Sequence, residues 1–352
     1  MEIFREHQLT AVANDEVSAL VAVVRPILTG ILNGLKHEVV RQFNGLDNLP
    51  LRMLARVYRP GDGDCGICFE YAVHDALNRK EPRVVERVAE ALSLCNIPGI
   101  SEPKSILFGA EKSGALQLID TAKTVLTDDS LLLQGGAGRR VKIMKYLDDL
   151  DEAFRNPAAR DELPSSISGL WKADLIIGRT DVDKWVGATV KINPSQLQQA
   201  RGLRLAIIPT RHGQNDRIRV KDNLVICPLP HDAAFMQTFY EGWRIVLAFL
   251  RADAQVPQQV VLPRPAEREV ARMLAERREF PVREVVEALQ QFAQPNLLAT
   301  EDRQTQTLVV QHRTFWSRLF SRSANQASNA PAVFSSQDGD RPPPSGPAAM
   351  LV

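Results

Sequence analysis

Asp174, Thr189 and Lys191 are the residues of this chain whose types and spacing could act together. They belong to Leu-Trp-Lys-Ala-Asp-Leu-Ile-Ile-Gly-Arg-Thr-Asp-Val-Asp-Lys-Trp-Val-Gly-Ala-Thr-Val-Lys-Ile-Asn, residues 170–193, which reads as a β-hairpin. The first strand is expected over 172–178, a polar connection over 179–184 and the second strand over 185–192. Side chains alternate between the faces of a strand. Ala173, Leu175 and Ile177 should therefore share one face, with Asp174 on the other. Val186, Ala188, Val190 and Ile192 should line the apolar face of the second strand, leaving Thr189 and Lys191 together opposite. A carboxylate, a hydroxyl and an ammonium then converge on one side, a set able to handle charge and protons. The plainer reading of Asp174 and Lys191 alone is a solvated salt bridge. Asp181 and Asp183, in the turn, are expected to face solvent.

A second carboxylate is available upstream. In Gly-Ile-Cys-Phe-Glu-Tyr-Ala-Val-His-Asp-Ala-Leu, residues 66–77, Phe69, Val73, Ala76 and Leu77 form an apolar helical stripe. Glu70 sits along its margin, where a carboxylate is costly unless it pairs or binds metal. Taken alone, its plainer reading is a surface glutamate at a helix margin.

Lys172-Ala-Asp-Leu-Ile176, a hairpin and then Ala188-Thr-Val-Lys191 together resemble the PD-(D/E)xK, or restriction-endonuclease-like, nuclease superfamily. The helix carrying Glu70 is similar to the first-helix motif of many such nucleases. The resemblance covers roughly residues 60–250. It implies a Mg²⁺ (or Mn²⁺) site held by Asp174 and Glu70, with Lys191 serving the attacking water and offsetting negative charge. Thr189 stands where an acid is usual and would lend its hydroxyl or a neighbouring carbonyl. The implied activity is hydrolysis of phosphodiester bonds in double-stranded DNA, in restriction or anti-phage defence by analogy of fold alone. A catalytically degenerate fold, kept as a DNA- or protein-binding component of a larger assembly, is the alternative that Thr189 favours. A helix is expected over 195–202 after an Asn193 cap; Gln196 and Gln199, three apart on it, are candidates to reach water or phosphate. A solvated polar face is the plainer account of both.

Other motifs compete. Asp62-Gly-Asp-Cys65 before a helix resembles the nucleophile segment of ovarian-tumour-type cysteine proteases, and residues 66–72 are slightly similar to a transglutaminase segment. A thiol at a helix N-terminus would suit a thiolate nucleophile, so a cysteine hydrolase using Cys65 is a third reading; His212 and His231 lack a recognisable catalytic context. Cys65-Gly-Ile-Cys68 is half of a zinc pattern without its second half. Gly135-Gly-Ala-Gly-Arg-Arg140 is a glycine-rich turn without the Gly-Lys-Ser/Thr of a P-loop. Arg139 and Arg140 are candidate phosphate contacts there, against an ordinary hairpin turn.

The surrounding chain must supply a frame for these residues. Apolar recurrence at threes and fours predicts helix over 9–45, interrupted by Pro26. From about 105, short apolar runs alternate with helical patterns at 116–126, 195–202 and 232–251, which predicts an α/β (α+β) fold with a central mixed sheet flanked by helices. The expected organisation is a helical N-terminal region over 1–58, a nuclease-like core over 59–255 and a small helical unit over 256–320. The Ser-, Ala- and Pro-rich tail over 321–352 is expected to be disordered.

The chain has 352 residues, 44% hydrophobic and 24% charged, which excludes a wholly disordered or fibrous protein. With 43 basic against 42 acidic residues, polyanion binding through gross charge is excluded, and any nucleic-acid contact must be a local patch. The charged N-terminus and scattered cysteines predict a cytoplasmic protein without signal peptide, membrane partner or disulfide framework. Arg313-Thr-Phe-Trp-Ser-Arg-Leu-Phe320 sets aromatics beside arginines and is a candidate protein-partner segment, or a terminal clasp on its own domain. A homodimer is compatible with all of this.

Overall fold

In the computed structural model, residues 2–293 are described except 36, 62–63, 109–121, 135–138, 168–169, 171–172, 198–203, 212–213 and 231–233. Met1–Gln304 forms one compact unit. The expectations for Gln199, His212 and His231, for the 313–320 segment and for the tail lie outside the described residues.

The helices are α1 (Glu2–Asn33), α2 (His37–Gln42), α3 (Leu51–Val57), α4 (Asp64–Asn78) and α5 (Pro82–Leu94), then α6 (Leu147–Arg155), α7 (Pro157–Glu162), α8 (Ala234–Arg251), α9 (Pro265–Glu276) and α10 (Val282–Leu289). The strands are β1 (Lys104–Leu107), β2 (Leu131–Gln134), β3 (Arg139–Lys142), β4 (Leu175–Arg179), β5 (Lys184–Val190), β6 (Arg204–Pro209), β7 (Arg219–Lys221) and β8 (Leu224–Leu229). They make one mixed sheet of eight strands, ordered β1-β4-β5-β6-β8-β7, with β2 and β3 joined to it at β5. β4 and β5 are antiparallel neighbours, as the hairpin pattern predicts; β5, β6 and β8 run parallel. β5 shares its far edge: Lys184–Val186 pairs with β2, and Gly187–Val190 pairs with β6.

One face of the sheet, carrying Leu175, Ile177, Val186, Ala188, Val190, Leu205 and Ile207, merges with α1, α4, α5 and α8–α10 into the main core. The other face is covered over β4 and β5 by α6 and the 163–170 segment, around the fully buried Trp185 and Ile176. The N-terminal helix and the small C-terminal helices both pack into this unit: α1 lies against α4, α8, α9 and α10. Fully buried Glu267 on α9 accepts from Arg244 and Arg264, which ties α8 to α9.

Pro26 does not interrupt α1, contrary to expectation; it lies within the helix. A proline there leaves the carbonyl four residues back without its usual donor. Arg79 at the end of α4 supplies one, its Nη2 donating to the Ala22 carbonyl at 3.1 Å. The tertiary contact replaces what the local sequence removes, and α1 continues to Asn33.

Of the helix expected over 195–202, the described part is a 3-10 turn, Pro194–Gln196, with the Asn193 side chain accepting from the Ser195 N–H at 3.1 Å; 198–202 lie outside the described residues.

Candidate functional site

Glu70 lies on α4, whose buried residues Phe69, Val73, Ala76 and Leu77 fix the helix against the sheet and turn Glu70 inward. Asp174 stands immediately before β4 and Lys191 immediately after β5, at the same end of the hairpin. The Lys191 Nζ donates to Glu70 Oε1 at 3.0 Å and to Asp174 Oδ2 at 2.8 Å. Two carboxylates from distant parts of the chain therefore converge on one ammonium. Asp174 Oδ2 also accepts from the Thr189 hydroxyl at 3.0 Å and from the Val190 N–H at 2.8 Å. The Asp174 backbone is fixed as well: its N–H donates to the Ala188 carbonyl and its carbonyl accepts from the Phe108 N–H, at 2.9 and 2.8 Å.

Glu70, Asp174 and Thr189 are 5, 8 and 8% exposed, so the cluster is not the solvated surface pair of the plainer reading. Burial opposes the charge on Lys191, but Asp174 and then Glu70 outweigh it, and its pKa is raised. Lys191 is thus held as a cation at neutral pH; it can orient water and offset negative charge but has no free base to offer. Arg204 at the start of β6, also buried, feels the same carboxylate: burial lowers its pKa and Asp174 partly restores it. Sequence reading missed Arg204, because an arginine opening an apolar strand looks like an ordinary strand end.

The convergence is not on one flat face. Ala173 packs with Ile176 and Trp185, on the face opposite Leu175 and Ile177, so strict alternation fails where β4 begins. That break frees Asp174 to meet Lys191 around the end of the hairpin. Thr189 acts as a positioning residue, its hydroxyl orienting Asp174.

The remaining candidates stand elsewhere. Gln196 is exposed on its 3-10 turn. Arg140 is exposed on β3, in register with Leu133 of β2. β2 pairs with Lys184–Val186 rather than with the end of β5 that leads to Lys191. The turn before Arg139 lies outside the described residues. Asp181 and Asp183 are not free in solvent but hold the hairpin turn. Asp181 accepts from the Ile100 N–H at 2.7 Å and the Ser101 hydroxyl at 2.5 Å, which hold it down to about 2. Asp183 accepts from Thr127, Ser130 and the Trp185 indole, at 2.5, 2.6 and 3.0 Å.

Burial pushes the Cys65 thiol up to about 11, the reverse of what a thiolate nucleophile needs. Cys68 is buried and its thiol donates to the Ile27 carbonyl at 3.4 Å. His74 is nine residues beyond Cys65 on the same helix, an axial separation of roughly 13 Å, so these two form no catalytic pair.

His74 instead anchors the helix that carries Glu70. Its Nδ1 meets the Ser105 hydroxyl of β1 at 3.0 Å, and its Nε2 meets the Asn78 amide nitrogen at 3.2 Å. The Asn78 oxygen accepts from the Ser105 N–H, so the amide nitrogen must be the donor and the ring is neutral. Burial lowers the His74 pKa from 6.5 to about 4. Between those values the unfolded chain binds a proton that the folded chain refuses. Stability is therefore full above about pH 6.5 and falls as pH drops toward 4, by about 2 kcal/mol once the half-buried position of the side chain is allowed for. Urea unfolding at pH 7.5 and 4.5 should show this loss, and His74→Gln should show less of it; equal losses would contradict the assignment.

Two carboxylates already drawn to one positive charge suit a hard divalent ion that keeps much of its water. No cluster of three or more His, Cys, Asp or Glu able to hold a metal occurs among the described residues, so any ion here rests on Glu70 and Asp174. No helix among the described residues is long and apolar enough to cross a membrane. Comparison with family models, with curated proteins and with solved structures finds no match for this chain.

Proposed function

We propose that this chain is a Mg²⁺-dependent phosphodiesterase that cuts double-stranded DNA, built on a restriction-endonuclease-like core. The observation that carries this reading is Lys191 Nζ lying 3.0 Å from Glu70 and 2.8 Å from Asp174 at the open end of the β4–β5 hairpin. The superfamily resemblance asks for an acid on one strand and an acidic-x-Lys triplet on the next; Asp174 and Lys191 answer to its first and last members, Thr189 stands in the triplet's acid position, and Glu70 on α4 is the acid that makes up for it. Glu70 and Asp174 would hold Mg²⁺, which when bound polarises the scissile phosphate and acidifies water. Lys191 orients the attacking water and neutralises charge gathering on the phosphate. Thr189 and the Val190 N–H keep Asp174 aimed.

The alternative, a degenerate fold that binds DNA or a protein without cutting, has two observations in its favour. Thr189 adds no third carboxylate, and Asp174 Oδ2 is already engaged by three donors. Incubation with supercoiled plasmid separates the two. The nuclease reading predicts nicked or linear product with Mg²⁺ or Mn²⁺ and none with EDTA. A retained gel shift with no cutting in any divalent metal would replace it with the binding module. A role in defence against phage remains part of this proposal and would show as reduced plaque formation in a host expressing the protein. Cytoplasmic residence is proposed with it.

A further inference from the structure

From Arg219 and Lys221 on the edge strand β7, we infer a phosphate-backbone contact surface for duplex DNA, continuous with the candidate site. It rests on the reading above for the identity of the polymer. The sheet register sets the surface. Thr189 is in register with Ala206, Ala206 with Ile226, and Ile226 with Arg219, a straight row from β5 across β6 and β8 to β7. The adjoining row runs Gly187, Arg204, Leu224, Lys221. Residues in register share a face, so Thr189 of the site and both edge cations face the same way.

That face differs from the rest of the sheet. Leu205, Ile207, Val225 and Cys227 go to the main core on the opposite side. Here Ala206, Ile208 and Ile226 form a small buried apolar cluster of their own, with Leu197 and Leu224 packed at its margin. All three residues of β7 are exposed. Among the described residues, neither Arg219 nor Lys221 has an ion-pair partner, whereas Arg52, Arg264 and Arg272, on and around α9, do. Neighbouring strands are ~4.8 Å apart, so β7 is roughly 14 Å from β5, well inside one ~34 Å turn of B-DNA. A duplex with one phosphate at Lys191 can set others on Arg219 and Lys221. Buried Arg204 extends the positive field between them. Basic residues on an edge strand also guard against strand pairing with another chain, and the test must separate the two roles.

Binding of a fluorescein-labelled 30-base-pair duplex is measured by anisotropy in EDTA, over a range of salt. Wild type should bind with log K falling linearly with log salt. Arg219→Glu/Lys221→Glu keeps the edge charged against aggregation but should reduce the slope by about 2, near 0.9 for each lost phosphate. It should also weaken binding more than tenfold at 0.1 M salt. Arg83→Glu/Arg278→Glu, at exposed positions on α5 and in the turn between α9 and α10, makes the same change in net charge and should leave the slope nearly unchanged. Arg219→Gln/Lys221→Gln gives a milder second variant with the same direction. Equal losses in both reversal variants, or a wild type with no salt-dependent binding, would overturn the surface. Plasmid cutting is scored separately: salt-dependent binding without cutting would sink the nuclease reading and leave this surface standing.

Discussion

Asp174→Asn should lower Mg²⁺-dependent cutting of plasmid DNA by about 10³-fold, with the fold retained. The amide keeps the size of the side chain and an oxygen for the Val190 N–H, but removes the charge that a divalent ion and Lys191 require. Lys191→Ala should lose cutting to a similar extent for a different reason, and it should also unfold more easily. Without the ammonium, the buried carboxylates of Glu70 and Asp174 lose the one cation bonded to both. Removing one partner of a buried ion pair costs about 3–5 kcal/mol; because Lys191 is a quarter exposed, about 2–3 kcal/mol is expected. Millimolar Mg²⁺ should then raise the melting temperature of Lys191→Ala more than that of wild type, since the ion can take the place the ammonium left. Cutting by Asp174→Asn at the wild-type rate would remove Asp174 from the mechanism.

The second large effect is expected at Gly178→Ala. Gly178 in β4 pairs with Trp185 in β5, and the fully buried indole lies over it. A Cβ at 178 would fall on the Lys184 carbonyl and come within 2.7 Å of two indole carbons. Neither can yield easily: the carbonyl belongs to the sheet, and the indole is held by its bond to Asp183 at 3.0 Å. Overpacking of this kind costs about 3 kcal/mol, which for a unit of this size lowers Tm by roughly 5 °C. Because the same hairpin carries Asp174 and Lys191, cutting should fall as well. A Gly178→Ala protein that melts with wild type in calorimetry would show that β4 and β5 do not pack as described.

The hairpin was legible because its apolar residues alternate with a period of two on both sides of a polar turn. The helix of Glu70 was legible because Phe69, Val73, Ala76 and Leu77 fall on one stripe. What brings Glu70 to Lys191, 121 positions later, is the packing of α4 against the sheet, and no local pattern contains that. Asp181 and Asp183 looked like solvated turn residues because their partners, Ile100, Ser101, Thr127 and Ser130, are more than fifty positions away. β7 carried no signal at all: Arg-Val-Lys is too short for alternation and too charged for a core strand. Pro26 misled for a related reason, since the donor that satisfies the Ala22 carbonyl comes from Arg79. Local periodicity fixes elements; long-range side-chain bonds decide which polar residues end up buried and paired.

In the divalent-metal site proposed at Glu70 and Asp174, Lys191 stands where the cation would sit. Anomalous diffraction from crystals equilibrated with Mn²⁺ tests it most directly. The account predicts one Mn²⁺ ligated by both the Glu70 and Asp174 carboxylates in wild type, with Lys191 Nζ moved from between them, and no such ion in Asp174→Asn. A map at saturating Mn²⁺ with no ion on these carboxylates, and Lys191 still bonded to both, would contradict it.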